Sequence, residues 1–381
     1  MPPSRPEEAA PPRRGPPRRP PRSAEAALKY FLLGAFSTAF LLYGVALVYG
    51  ATGSTNLTVI GQRLGTTAAL SNVVLALGVG FTMVGFAFKV AAAPFHMWTP
   101  DVYEGAPTPF TAFMAAAVKA GAFAAFARVF LEAFSPAAGR WHAVLWWVAA
   151  VTMVGGNVVA LAQKNVKRML AYSSIAHAGY LLVALVTNTG QGAAAIVFYL
   201  FAYTLATVGA FAVLEALGGS AAGADRLEAW SGLFSLRPRL ALAMAVFMLA
   251  LLGFPLAGGM GFFAKWYLVQ AALGAPSPQT RLAVVLVLAS VVSAGYYLYL
   301  VSVMFMRRRA GDAPALPATP AWTGGVVAAC ALLLLVLGVY PTPAVRWAQS
   351  AALRPAAGAQ TTPRDLPAPP STTALAPAAA P

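Results

Sequence analysis

Long apolar runs, not alternation, set the pattern of this chain. Nine mostly apolar stretches follow one another at about 28–49, 70–93, 108–131, 143–163, 168–187, 192–216, 240–273, 281–306 and 322–340. Each is near or above the roughly 20 residues that a helix needs to cross a bilayer, which predicts transmembrane helices. Two are interrupted, 70–93 at its end and 240–273 in its middle. The chain ends differ in kind: 1–24 is rich in Pro and Arg, and 341–381 in Pro, Ala and Thr. Both read as disordered low-complexity tails around a membrane domain of 25–340. The expected fold class is an all-α polytopic membrane protein of about nine transmembrane helices, two of them broken.

Composition sharpens this. The chain is 59% hydrophobic and 10% charged, with a mean hydropathy of +0.69, where soluble domains carry about 25% charged residues. The net charge of +15 does not point to nucleic acid, because the basic residues lie mostly in tails and short loops. If each span crosses once, one side holds Lys164, Lys167, Arg168, Arg226, Arg237, Arg239, Arg307, Arg308 and Arg309, nine residues. The other holds Arg63, Arg140 and Arg281, three. By the positive-inside rule the first side, with the N-terminus, is cytoplasmic, and the C-terminus lies outside. The expected location is a cell inner (plasma) membrane. The single cysteine, Cys330, excludes an intrachain disulfide. No cleavable signal peptide is evident in the first 24 residues.

Six lysines occur in the chain. Lys164 and Lys167 need only the orientation reading. Lys29 opens the first span with Glu25 one turn before it, so it can snorkel to the interface. Lys89 ("GFAFKVAAAPF"), Lys119 ("AAAVKAGAFAAF") and Lys265 ("GFFAKWYLVQ") lie inside apolar runs. A charged lysine at mid-membrane costs roughly 2.5–3.5 kcal/mol even on the lenient insertion scale, so such residues face the protein interior or a wet path. Burial lowers a lysine's pKa, and a row of such amines along a wet path can relay protons. The plainer alternative is that they snorkel or brace helix packing.

Both helix breaks sit beside a lysine. Pro94 follows Lys89, with His96 and Pro100 after it, and "GFPLAGGMGFFAK" precedes Lys265. Freed backbone groups at membrane depth are tolerated where they line a cavity or are buried in protein, and paired breaks point to inverted repeats with the functional site at the break. His96 can extend a relay or cap the broken backbone. His177 ("SSIAHAGY") reads as a packing histidine among small residues, and Asp101 and Glu104 as caps. There is no GxGxxG, Walker or CxxC sequence, so no cofactor or metal is expected in this chain. No acidic residue lies in the interior of any span. The buried lysines are therefore mostly neutral, or their partners come from elsewhere.

"FKVAAAPFHMWTPDVYEGAPTPFTAFMAAAVKAGAFAAFARVF" resembles the antiporter-like membrane subunits of respiratory complex I, NADH:quinone oxidoreductase, and within these the subunit N branch. "EAALKYFLLGAFSTAFLLYGVALVYGATGSTNL", "NVKRMLAYSSIAHAGYLLVAL" and "FMLALLGFPLAGGMGFFAKWYLV" are similar to it in the same order. The resemblance covers about 25–340 and implies two inverted helical repeats, each with a broken helix and half of a proton channel. It implies a proton relay of Lys89 at the first broken helix, Lys119 on the next helix and Lys265 at the second break, with Lys29 and His96 beside them. It implies no cofactor in this chain, other complex I membrane subunits and the lipid bilayer as partners, and coupling to quinone reduction elsewhere. Full-length members carry further helices before "EAALKY", one with a glutamate that pairs with the first channel lysine, so the first repeat is expected to be incomplete. A cation/proton antiporter, a subunit of a related hydrogenase or antiporter complex, and a non-functional fragment are the alternatives.

Overall fold

A computed structural model of the chain describes residues 21–65, 73–219, 223–255, 259–309 and 317–352. Among these the regular structure is helical, with one isolated backbone bridge between Asn165 and Arg226. The helices in chain order are α1 (Pro21–Thr52), α2 (Leu57–Leu64), α3 (Val73–Val90), α4 (Trp98–Gly105), α5 (Thr108–Ala133), α6 (Ala138–Leu161), α7 (Val166–Val186), α8 (Gly190–Ala216), α9 (Pro238–Leu252), α10 (Gly259–Leu273), α11 (Thr280–Met306), α12 (Ala321–Val339) and α13 (Thr342–Ala351). Eight spans among the described residues are long and apolar enough to cross a bilayer. The shorter pair α9 and α10 makes up the interrupted ninth.

Both breaks have local causes. α3 stops at Val90, and Ala91 adopts a left-handed φ of 62°. The backbone then turns through 91–97 before α4. α9 ends on Gly253, whose φ of 81° suits a residue without a side chain; Pro255 follows and cannot continue the helix. Where α10 resumes it crosses α9 closely. A Cβ on Gly261 would overlap the Ala250 carbonyl oxygen, so only glycine allows that crossing.

α7 is the axis of the molecule. Of its apolar window, 94% is buried, against 17% for α1 and 22% for α12. Its small residues, among them Ala171, Ser174, Ala178 and Gly179, let neighbouring backbones approach. It packs against α4, α6, α8, α10 and α11. Polar contacts fix which helix ends lie together. Lys29, Asp101 and Arg168 join the starts of α1 and α7 to α4. At the opposite end Thr58 donates to Glu132 at 3.0 Å and Asn188 to Ser135 at 2.9 Å. Helices that cross once each produce this alternation.

Two expectations change. Residues 342–351, expected within a disordered tail, form α13, whose Trp347 packs against Phe201 of α8 at 5.5 Å between ring centroids. An apolar face bounded by polar residues folds when a neighbouring helix covers it, and here α8 does. Pro21–Ala24, read as tail, form the first turn of α1. Residues 1–20 and 353–381 lie outside the described residues.

Candidate functional site

Lys119 sits in mid-span on α5, directly after a π-helical turn at Met114–Val118. Such turns rotate the following residue relative to a regular helix and recur at functional sites. The side chain is 3% exposed. Its Nζ donates to the Ser174 carbonyl oxygen at 2.6 Å and to Ser174 Oγ at 2.5 Å. Tyr203 of α8 also donates to Ser174 Oγ, at 2.9 Å, and the Lys119 amine lies 5.7 Å from the centre of its ring.

One helical turn along α7 stands His177, 3% exposed. Its Nδ1 meets the Tyr199 hydroxyl at 2.8 Å and its Nε2 the Tyr297 hydroxyl at 3.1 Å. The Tyr297 hydroxyl is also hydrogen-bonded to Ser173. Hydroxyl and imidazole groups both donate and accept, so these contacts can run in either sense.

Lys265 lies on α10 just beyond the second break and is 8% exposed. Its Nζ donates to the Leu252 carbonyl at 2.8 Å, a group set free where α9 ends. It also lies 4.8 Å from the centre of the Tyr180 ring. The Tyr180 hydroxyl accepts from Asn157 Nδ2 at 2.8 Å, and Tyr296 donates to Asn157 Oδ1 at 2.9 Å. His177, Tyr199, Tyr203 and Lys265 together line a cavity of about 10 Å³, roughly what one water requires. The interior thus holds a polar row from α5 through α7 and α8 to α10. Among the described residues, no carboxylate pairs with Lys119 or Lys265.

The other expected relay residues lie apart from this row. Lys89 is half-buried in the last turn of α3, with no hydrogen bond to Lys119. His96 is in the turn after that break. Its Nδ1 is buried without a hydrogen-bond partner, and burial lowers its pKa from the ordinary histidine value. Lys29 is half-exposed and bridges Glu25 at 2.7 Å and Asp101 at 2.8 Å. Asp101 also pairs with Arg168 at 2.8 Å, and Arg168 with Glu104 at 3.0 Å. Partial burial works against the Asp101 carboxylate, yet the hydrogen bonds from Lys29 and Arg168 outweigh it and hold its pKa below the usual range. Asp101 and Glu104, read as caps, are ion-pair partners.

Sequence reading missed His177 as a member of the row, together with Ser173, Ser174, Tyr199, Tyr203 and Tyr297. It also placed Lys167 in a loop. The residue is the second of α7, fully buried, with Nζ donating to the Ala106 carbonyl at 2.6 Å. The signal available for it was its position at the edge of an apolar run. Among the described residues, no group of three or more His, Cys, Asp or Glu is placed to hold a metal ion.

A family model described as NADH:quinone oxidoreductase/Mrp antiporter, TM, matches residues 17–306. The chain belongs to this family. A relative from Gemmatimonas aurantiaca named NADH-quinone oxidoreductase subunit N is 58% identical over 330 residues, 87% of this chain and 63% of the relative. One from Sorangium cellulosum named NADH-quinone oxidoreductase subunit N 1 is 49% identical over 87% of this chain and 67% of its own length. The fold is also similar to a chain of respiratory complex I from Thermus thermophilus with bound aureothin. That likeness has a TM-score of 0.69 and 44% identity, over 87% of this chain and 70% of that one. The chain therefore spans about two thirds of the length of the relatives it matches. Members of the NADH:quinone oxidoreductase/Mrp antiporter family are membrane proteins, and the spans described above make this one multi-pass.

Proposed function

We propose that this chain translocates protons as a membrane subunit of NADH:quinone oxidoreductase, with the Lys119–Lys265 row as its path. One observation carries the reading: two lysines in an apolar interior are joined through Ser174, Tyr203 and His177 to a shared cavity. The relatives' names support the assignment to that enzyme.

A proton on the Lys119 amine is one hydrogen bond from Ser174 Oγ, which itself accepts from Tyr203. Across the cavity stand His177 and Lys265, and a single water there would join them. Each transfer needs only a short rotation or shift of a donor already in place. Among the described residues no carboxylate pairs with either lysine, so an added charge at one amine raises the cost of a proton on the next through the low-dielectric interior. That electrostatic coupling gives a way for events in neighbouring subunits to drive proton steps here. Lys89 and His96, at the first break, are proposed to connect the row to another part of the path. Lys29 is proposed to act at the cytoplasmic end through its ion pairs, with the N-terminus on that side and the C-terminus outside. The redox chemistry of NADH and quinone is assigned to partner subunits, with protons as the transported species of this one.

The test is proton pumping by the assembled complex carrying Lys89→Ala or Lys265→Ala in this chain. NADH-driven acidification of inverted vesicles should fall in both, together with quinone reduction where the two are tightly coupled. Wild-type pumping in both variants would remove the channel reading.

A further inference from the structure

Asn157 is a carboxamide buried inside the bundle on α6. Its Nδ2 donates to the Met153 carbonyl at 2.8 Å and to the Tyr180 hydroxyl at 2.8 Å, and its Oδ1 accepts from Tyr296 at 2.9 Å. A carbonyl only accepts, so the Met153 contact fixes which end of the amide is the NH2. The hydrogen bonds beyond it then take one direction. Tyr296 gives its proton to Oδ1, which leaves its oxygen as an acceptor within hydrogen-bonding reach of Ser173. Ser173 turns its own proton to Tyr296 and accepts from Tyr297. The Tyr297 oxygen is left to accept from His177 Nε2, 3.1 Å away. In the neutral ring Nδ1 is then the bare nitrogen, and the Tyr199 hydroxyl donates to it at 2.8 Å. Ser173, Tyr296 and Tyr297 are all buried, so bulk solvent does not compete for these bonds.

We propose that Asn157 is a positioning residue for proton transfer, acting through Tyr296, Ser173 and Tyr297 to hold His177 by Nε2–H and leave Nδ1 as the atom that exchanges protons. This rests on the relay reading above and deepens it. His177 and Tyr199 line the cavity shared with Lys265, whereas Tyr297, Ser173 and Asn157 stand outside it. Nδ1 therefore faces the relay and Nε2 the anchor. The step is a proton transfer alone. A proton leaves Lys265 Nζ, crosses one water and bonds to Nδ1 as the Tyr199 hydroxyl turns aside. Lys265 is left a neutral amine and His177 an imidazolium, with Nε2–H still donated to Tyr297. Without the anchor Tyr297 would donate to Nε2 as readily, the neutral ring would carry its proton on Nδ1, and the cavity side would offer no acceptor. Asn157 does not titrate, so the branch ends on α6 and does not drain the row.

The assay is the pH profile of NADH-driven pumping by the assembled complex in inverted vesicles, with Tyr296→Phe or Tyr297→Phe in this chain. Each variant keeps its ring and loses one hydroxyl. A hydrogen bond inside a membrane protein changes a population about three-fold on average and up to about fifteen-fold. Pumping should fall at least about three-fold in each, and its half-maximal point on the alkaline side should move down by about 0.5–1 pH unit. The titratable groups facing His177 are Tyr180 on its own helix, Tyr199 and Tyr203 from α8, Tyr297 from α11, Lys265 from α10 and Lys119 from α5. α4 places Tyr103 beside Ser174, one turn away, and α6 brings Asn157. The position of the profile does not depend on how much complex folds. In a His177→Gln background the same substitutions should cost nothing further, because the ring they position is gone. A profile that stays in place in both variants, or a further loss of about three-fold in the His177→Gln background, would overturn the proposal. Lys265→Ala is the reference. Wild-type pumping there removes the relay reading and the proposal with it, whereas lost pumping there with unmoved tyrosine profiles removes the proposal alone.

Discussion

Replacing His177 tests the row at its least expected member. His177→Phe removes two buried hydrogen bonds, to Tyr199 at 2.8 Å and Tyr297 at 3.1 Å. Interhelical hydrogen bonds within membranes average about 0.6 kcal/mol and reach about 1.7, so the structural loss is roughly 1–3 kcal/mol. His177→Gln retains a donor and an acceptor for the same two hydroxyls but cannot titrate, so its structural loss should be under about 1 kcal/mol. A positioned proton carrier is worth roughly 10²–10⁴-fold in rate. Pumping should therefore fall about tenfold or more in both variants, even if another step limits turnover. The assay pairs dye-quench pumping in inverted vesicles with the thermal stability of the purified complex. A packing role predicts a different pair of results: poor stability and poor pumping for Phe, near-normal values of both for Gln. A His177→Gln complex that pumps at the wild-type rate would refute the reasoning.

Other consequences can be checked in the same preparation. Gly261→Leu puts a side chain into the Ala250 carbonyl and must push α9 from α10; the cost should be near the upper end of about 1–3 kcal/mol for overpacking, seen as a lower melting temperature. Asp101→Asn severs ion pairs to Lys29 and Arg168. These are partly exposed, so the loss should be about 0.5–2 kcal/mol in all. Because folding lowers the Asp101 pKa, its stabilisation is complete above the ordinary carboxyl value near 3.9. It fades as pH falls through the lower folded value, so the melting-temperature gap between wild type and Asp101→Asn should close on acidification below about pH 4. Lys167→Leu leaves the Ala106 carbonyl without its donor and should cost about 1–3 kcal/mol, read as increased proteolysis at 98–107.

The sequence showed the elements whose cost is visible in one dimension. A lysine in an apolar run, or a proline and glycines interrupting one, stands out whatever the neighbours are. Lys119, Lys265 and both breaks were legible for that reason, and so were the spans. His177 was not, because α7 is buried on every side. A helix without a polar face has no stripe to show which of its polar residues meet others. Ser174 and Tyr203 become partners only when α7 packs on α8, and Tyr297 meets His177 across 120 residues. Lys29 was read at a helix start with Glu25 beside it, and as a relay lysine by resemblance; its second carboxylate, Asp101, is a property of how α4 folds back. α13 hid in a Pro- and Ala-rich stretch whose amphipathic face is short.

The central claim is that protons pass between Lys119 and Lys265. The most direct measurement is the number of protons translocated per NADH oxidised, by pulse titration of vesicles holding the assembled complex, with Lys119→Met and Lys265→Met introduced singly into this chain. If the row is the path, each variant lowers that ratio, or stops oxidation and pumping together. A ratio and a rate equal to wild type in both, with the variant chains present in the complex, would contradict it.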